Sequence, residues 1–153
     1  MLQQMINTPA DLRSQLAQLY WQEMCDGQWH RFLDWMLRRK PALEMLPSTS
    51  EGIGSRAYAG LQAVPLDAIH GTEEQAPAFD RTFHPIGERP RQRWVSIAEA
   101  RLRGTPMPPV QLTEKNGAYY VRDGHHRISV ARALGEAFIE AEVVRIQTIG
   151  QMR

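Results

Sequence analysis

Val121-Arg122-Asp123-Gly124-His125-His126-Arg127 is the stretch on which the reading of this 153-residue chain turns. Ahead of it Ala118-Tyr119-Tyr120-Val121 has the composition of a strand, and from Arg127 to Leu134 an apolar, alanine-rich run reads as a helix stopped by Gly135. A strand therefore gives way to a helix within a few residues, with glycine at the turn. The first N–H groups of a helix have no internal acceptor and carry the positive end of the macrodipole, so an anion fits there. Gly124 lets a ligand approach the backbone, His125 and His126 add donors, and Arg127 can hold two phosphate oxygens at once. Asp123 suits a ribose hydroxyl, an imidazole, or Mg²⁺ through water. The plainer alternative is an N-capping Asp123, a turn glycine and two exposed histidines. Four polar residues in a row between apolar elements favour an anion or nucleotide site at Asp123, Gly124, His125, His126 and Arg127.

Outward from this loop, Val110-Gln111-Leu112-Thr113 alternates as a strand, and Asn116-Gly117 is a strong two-residue hairpin signal joining it to the strand at 118. Trp94 to Leu102 fits a short helix closed by Gly104, and Leu61 to Leu66 a short strand. Ala137 to Ile146 alternates apolar and polar residues as a closing strand. The order strand, helix, hairpin, helix, strand describes a small α+β domain, a mixed sheet with flanking helices. Residues 71–93, polar and rich in Pro, Gly and Arg, read as one long loop, a feature that is usually functional or mobile.

Towards the N-terminus, Thr8-Pro9-Ala10-Asp11 is a helix start, with Thr8 as N-cap. Leu12, Leu16, Leu19, Tyr20 and Met24 give one apolar stripe. Asp26-Gly27 interrupts it, and Trp29, Phe32, Leu33, Met36 and Leu37 give a second, ending at Arg38-Arg39-Lys40-Pro41. The expectation is an N-terminal helical hairpin over 1–46, a linker over 47–60 and the main domain over 61–153. Such a hairpin either covers the core behind it or docks a partner.

With 42% hydrophobic and 23% charged residues the chain is of ordinary globular composition, long enough for a core without disulfides or metals. Its one cysteine, Cys25, excludes a disulfide framework and a Cys-based zinc cluster. No apolar run reaches membrane-spanning length and the start lacks a signal-peptide pattern, so a cytoplasmic address is expected. A net charge of +1 gives no bulk field for nucleic acid. Six arginines do fall between 81 and 103 against Glu88 and Glu99. Asp80, Arg81, Arg91 and Arg93, with Arg89, form a candidate clamp over a nucleotide or nucleic-acid backbone. The alternative is a solvated loop whose arginines pair with Glu88, Glu99 or Asp80.

Asp-Gly-His-His-Arg followed by Ile-Ser-Val-Ala-Arg-Ala-Leu-Gly resembles the signature of the ParB/sulfiredoxin superfamily. Val64-Pro65-Leu66-Asp67-Ala68-Ile69 resembles its opening strand, Phe79-Asp80 its Phe-Asp, Trp94 to Gly104 the helix before Pro-Pro-Val, and Ile139-Ala141-Val143 its last strand. The resemblance covers roughly residues 61–146. It implies a phosphate cradle at Gly124, His125, His126 and Arg127 for a nucleoside di- or triphosphate (ATP, ADP or CTP) with Mg²⁺. It also implies one of three uses: a CTP switch on DNA, sulfinic-acid activation with ATP, or phosphoryl transfer to a small hydroxyl compound. His125 stands where sulfiredoxins carry their cysteine, so sulfiredoxin chemistry is not expected. ParB proteins continue into a helix-turn-helix domain, whereas this sequence ends at Arg153, and Gln75-Ala76-Pro77-Ala78 replaces their Pro-Arg ahead of Phe-Asp.

The expected function is a nucleotide-dependent binding or regulatory module, associated with DNA in one version; the rival is a phosphotransferase or nuclease. Expected partners are the nucleotide, DNA or a protein at the hairpin, and a second copy of the chain, with no membrane. His84, His125, His126, Asp80 and Asp123 lack the spacing of a dedicated metal site. Asp123, Asp80 and Glu88 are each candidate bases, and the sequence singles out none.

Overall fold

The structure, a computed structural model, describes residues 9–46 and 53–148. A long helix α1 (Pro9–Met36) opens it, followed by the two-residue strand β1 (Glu44–Met45) and the long strand β2 (Ile53–Pro65). A 3₁₀ turn (Leu66–Ala68) leads to β3 (Ile69–Thr72), and a loop then runs to α2 (Arg91–Leu102). The hairpin β4 (Val110–Lys115) and β5 (Ala118–Asp123), helix α3 (His125–Ala133) and strand β6 (Phe138–Thr148) complete the chain. The strands form one sheet in the order β1-β3-β5-β4-β6-β2. It is mixed: β1 with β3, β3 with β5 and β4 with β6 are parallel, while β4 with β5 and β6 with β2 are antiparallel. The α+β expectation is met.

Local chemistry explains most of these elements. Asn116 (φ 53°) and Gly117 (φ 80°) both take left-handed backbone, as a hairpin turn matched to strand twist requires. Val110 and Leu112 on β4, Val121 on β5 and Ile139, Ala141 and Val143 on β6 bury one side of the sheet under the helices. Trp94 lies at the centre of this core, fully buried; its indole N–H donates to Ser129 Oγ at 3.0 Å, which ties α2 to α3. Ser129 is thereby a structural hydroxyl.

Three differences from the sequence reading stand out. The N-terminal segment is one 28-residue helix and not a hairpin. Asp26-Gly27 does not break it. Gly27 sits where loop 80–84 crosses α1, and a Cβ there would lie 2.7 Å from His84 Cβ and 3.1 Å from Asp80 Oδ2. The glycine makes room for a neighbour, which a single chain read along its length cannot show. Second, residues 53–60 belong to β2, paired with β6 from Ile53↔Thr148 to Pro65↔Phe138, so the strand starts well ahead of 61. The turn-like composition of 55–60 reflects polar and small residues on an edge strand; 47–52 lie outside the described residues, as does the Thr8 cap. Third, the loop expected from 71 loses Gly71 and Thr72 to β3 and Arg91 to Arg93 to α2. α1 covers the core, as one of the two readings of the N-terminal segment had it: Leu12, Leu16, Tyr20 and Met24 are buried in one cluster with Trp94, and Tyr20 meets Trp94 edge-to-face at 5.5 Å.

Candidate functional site

Strands β3 and β5 run parallel and side by side, with Thr72 opposite Val121, so both deliver their C-terminal ends to one edge of the sheet. Open α/β sheets bind ligands at such ends, where departing loops part and helix N-termini gather. Here the chain leaves β3 into the 73–79 loop and leaves β5 into α3. Between them lies a cavity of about 370 Å³, walled by Glu74 to Phe79, by Arg122 to Arg127, and by Arg93 and Ile97 of α2.

Gly124 caps α3 with φ 111°, and no side chain caps the helix. The amides of the first turn are thus left without a side-chain acceptor. A Cβ on residue 124 would come within 2.6 Å of Val110 Cγ1. Glycine is therefore demanded by backbone conformation and by packing on β4, whatever it does for a ligand.

His125 is the first residue of α3, and its Nε2 lies 2.8 Å from Thr72 Oγ1. That hydroxyl oxygen is also 2.7 Å from the Glu74 carbonyl and 3.2 Å from the Val121 carbonyl. Its one proton goes to a carbonyl, since otherwise three lone pairs would converge, so Nε2 carries the histidine proton and donates to Thr72. The ring stays neutral: burial pushes its pKa down, and Asp123 and Glu74 only partly oppose this. His126 is depressed to about 4, first by burial, then by the Arg93 guanidinium and by His125. Phe79 holds both rings, parallel to His125 at 6.4 Å and edge-on to His126 at 5.0 Å.

Arg127 is mostly buried. Its guanidinium donates to the carbonyls of Pro108 and Pro109 and to Asp123 Oδ2 at 3.1 Å. It borders the cavity, and three of its five N–H donors fix the Pro-Pro segment and Asp123 against α3. The free cation is Arg93, which has no ion pair or hydrogen bond among the described residues and lines the cavity beside His126. Arg122 lines it too, 3.9 Å from Glu73.

Of the candidate clamp, only Arg93 reaches this cavity. Asp80 is buried on the α1 side, where Oδ1 accepts from the Thr82 N–H at 3.0 Å and the His84 N–H at 2.9 Å. Burial would raise its pKa, but hydrogen bonds from His84 and Thr82 hold it below the usual carboxylate range. Arg81 pairs with Asp34 at 3.0 Å, and Arg91 lies over Trp21 at 5.9 Å, lining a separate crevice with Glu88 and Arg13. Asp80, Arg81 and Arg91 thus fasten the long loop and α2 to α1. Of the three candidate bases, Asp123 alone borders the cavity.

Sequence reasoning missed Glu74 and Thr72. The signal that would have found them is β3 itself: four residues, His70 polar and Gly71 without a side chain, hide a strand whose end faces the 121–127 loop. Gly71 admits the Glu44 carbonyl of β1, which a Cβ would strike at 1.9 Å. A second cavity, about 410 Å³ and mostly apolar, lies behind Phe79 and is roofed by Pro41 to Leu43 and Met45.

No family model matches this chain, and no curated protein matches it. Among solved structures it is similar to the crystal structure of sulfiredoxin from Arabidopsis thaliana, with a TM-score of 0.38 and 20% identity over 54% of this chain and 82% of that one. A likeness at that score sets neither family nor activity. No helix among the described residues is long and apolar enough to cross a membrane.

Proposed function

We propose that the chain is a nucleoside-phosphate-binding module of the ParB/sulfiredoxin type, with a regulatory or binding role. The observation that carries this reading is the cavity at the uncapped N-terminus of α3, bordered by Arg93, Arg122 and two neutral histidines. Phosphate oxygens take the amides of residues 125–127 and the Arg93 guanidinium; His126 offers one N–H when neutral and a second, with a charge, once protonated. Among the described residues no three His, Cys, Asp or Glu side chains group as a metal site. Glu74 and Asp123 fit Mg²⁺ nonetheless, because that ion commonly takes one or two carboxylates and leaves its other positions to phosphate and water.

The test is thermal stabilisation by ATP, ADP, CTP and GTP, each with and without Mg²⁺, on wild type and Arg93→Ala. Ligand at about 100 times its Kd adds roughly 2.7 kcal/mol. One nucleotide should raise the melting temperature, and Arg93→Ala should weaken its binding about ten- to hundredfold, the worth of a charged hydrogen bond. Silence with all four would reduce the loop to a helix turn. The Glu74 carboxylate in the same cavity favours a second reading, a phosphotransferase in which Glu74 or Asp123 serves as base. Turnover of the stabilising nucleotide with small hydroxyl compounds, abolished in Glu74→Gln, separates the two.

A further inference from the structure

Helix α1 carries two stripes on different faces. The inner one, Leu12, Leu16, Tyr20 and Met24, is buried in the core. The outer one sets Trp21, Cys25, Phe32 and Trp35 among two glutamines, Gln18 and Gln28, and all six are exposed. Its spacing is three, four, three, four, three, the alternation that keeps a seam facing a second helix. Trp29 and Met36 flank it on one side. Three of the four tryptophans in the chain lie on this face, with Trp29 61%, Phe32 46% and Trp35 73% exposed. Trp29 stacks on Phe32 at 5.7 Å and Phe32 lies 6.0 Å from Trp35, so the rings form one continuous slab.

We propose that this seam is the interface of an antiparallel homodimer, with α1 of one copy packed along α1 of a second. Three observations choose the occupant. The spacing is that of helix against helix, and not of a helix lying on a lipid surface, where a broad apolar face would serve. The stripe is also self-complementary. Turned end for end about a point between Asp26 and Gly27, it sets Gln18 against the partner's Trp35, Trp21 against the partner's Phe32 and Cys25 against the partner's Gln28. A large residue then meets a polar one in each outer layer, two aromatics meet in each intermediate layer, and a small residue meets a polar one at the centre.

The third observation is area and charge. Trp21, Trp29, Phe32, Trp35 and Met36 together expose roughly 600 Å², about three quarters of the 800 Å² or so that each partner buries in a standard interface before the seam's smaller side chains are counted. Exposed Arg38, Arg39 and Lys40 follow the helix. A parallel pair would bring two such clusters together, whereas an antiparallel pair in this register holds them about 38 Å apart along the axis. Antiparallel helices also align their dipoles favourably.

The experiment is sedimentation equilibrium on the full chain at tens of micromolar, with Phe32→Glu and Trp35→Ala beside wild type. Both side chains face solvent in the single copy, so thermal unfolding of diluted protein reports whether the fold survives. Wild type should sediment as a dimer and Phe32→Glu as a monomer, with Trp35→Ala weakened at least tenfold. Cys25, the one cysteine in the chain, should join two copies through a short bismaleimide. Gln18→Cys in a Cys25→Ser background should remain a dimer yet fail to form a disulfide, its two thiols lying about 25 Å apart along the axis. A monomeric wild type overturns the proposal, including one that instead binds phosphatidylserine vesicles. So does a dimer that Phe32→Glu leaves intact, and a Gln18→Cys disulfide overturns the antiparallel register.

Discussion

At Gly27 two rules of stability point in opposite directions. Glycine inside a helix costs about 1 kcal/mol relative to alanine, so Gly27→Ala should stabilise an isolated α1. In the folded protein the new methyl meets His84 Cβ at 2.7 Å, and loop 80–84 has to move. Gly27→Ala is therefore expected to destabilise by about 1–3 kcal/mol, the cost of overpacking. Urea unfolding gives the sign, and a gain in stability would contradict the crossing. The histidines make a second residue-scale prediction. His126 is depressed to about 4 when folded, against 6.5 when exposed. Between those values the unfolded chain binds more protons, so stability rises with pH across that window and is lost as pH falls through it. His84 has the opposite sign. Burial would lower its pKa, but Asp80 and Glu23 overcome this and raise it, so its contribution is present below 6.5 and fades at higher pH. An NMR titration should show His126 protonating near 4, and higher once an anion occupies the cavity. His126→Gln should flatten the slope of stability between pH 4 and 6.5.

Among elements, α2 and α3 depend on a single pair. Trp94 fills the space between α1, α2 and the sheet, and Trp94→Ala is expected to cost about 3–5 kcal/mol. Trp94→Phe should cost less, keeping most of the volume while leaving Ser129 without its donor; chemical denaturation distinguishes the two. The elements differ in how far they could be read from residues alone. The β4–β5 hairpin, α2, α3 and β6 follow from periodicity and from turn residues whose conformation is a local matter. The 121–127 loop was legible for the same reason, as a strand ending and a helix starting within seven residues. α1 was misread because Gly27 answers to a loop more than fifty residues away. β1 and β3 were missed because strands of two and four residues with small or polar members owe their existence to pairing. That Arg127 donates to carbonyls was not legible, because it depends on where Pro108 and Pro109 pass.

Across the whole molecule, the N-terminal helix is part of the fold rather than an attachment to it. Its four inward residues each contribute about 1.5–3 kcal/mol of burial, together as much as a domain's entire net stability. A fragment beginning at residue 53 is therefore expected to lack a cooperative urea transition, as far-UV circular dichroism would show. The sheet order has a consequence in time. β6 lies inside the sheet, between β4 and β2, and its pairing with β2 joins Ile53 to Thr148, the two ends of the second described segment. β2 has no other partner in the sheet, so it stays unpaired until the last strand arrives, and contacts so distant in sequence form slowly. During synthesis the sheet therefore remains incomplete until residues 138–148 have cleared the ribosome. A nascent chain stalled at Leu134 should be cut by protease within β2, and would depend on chaperones for that interval.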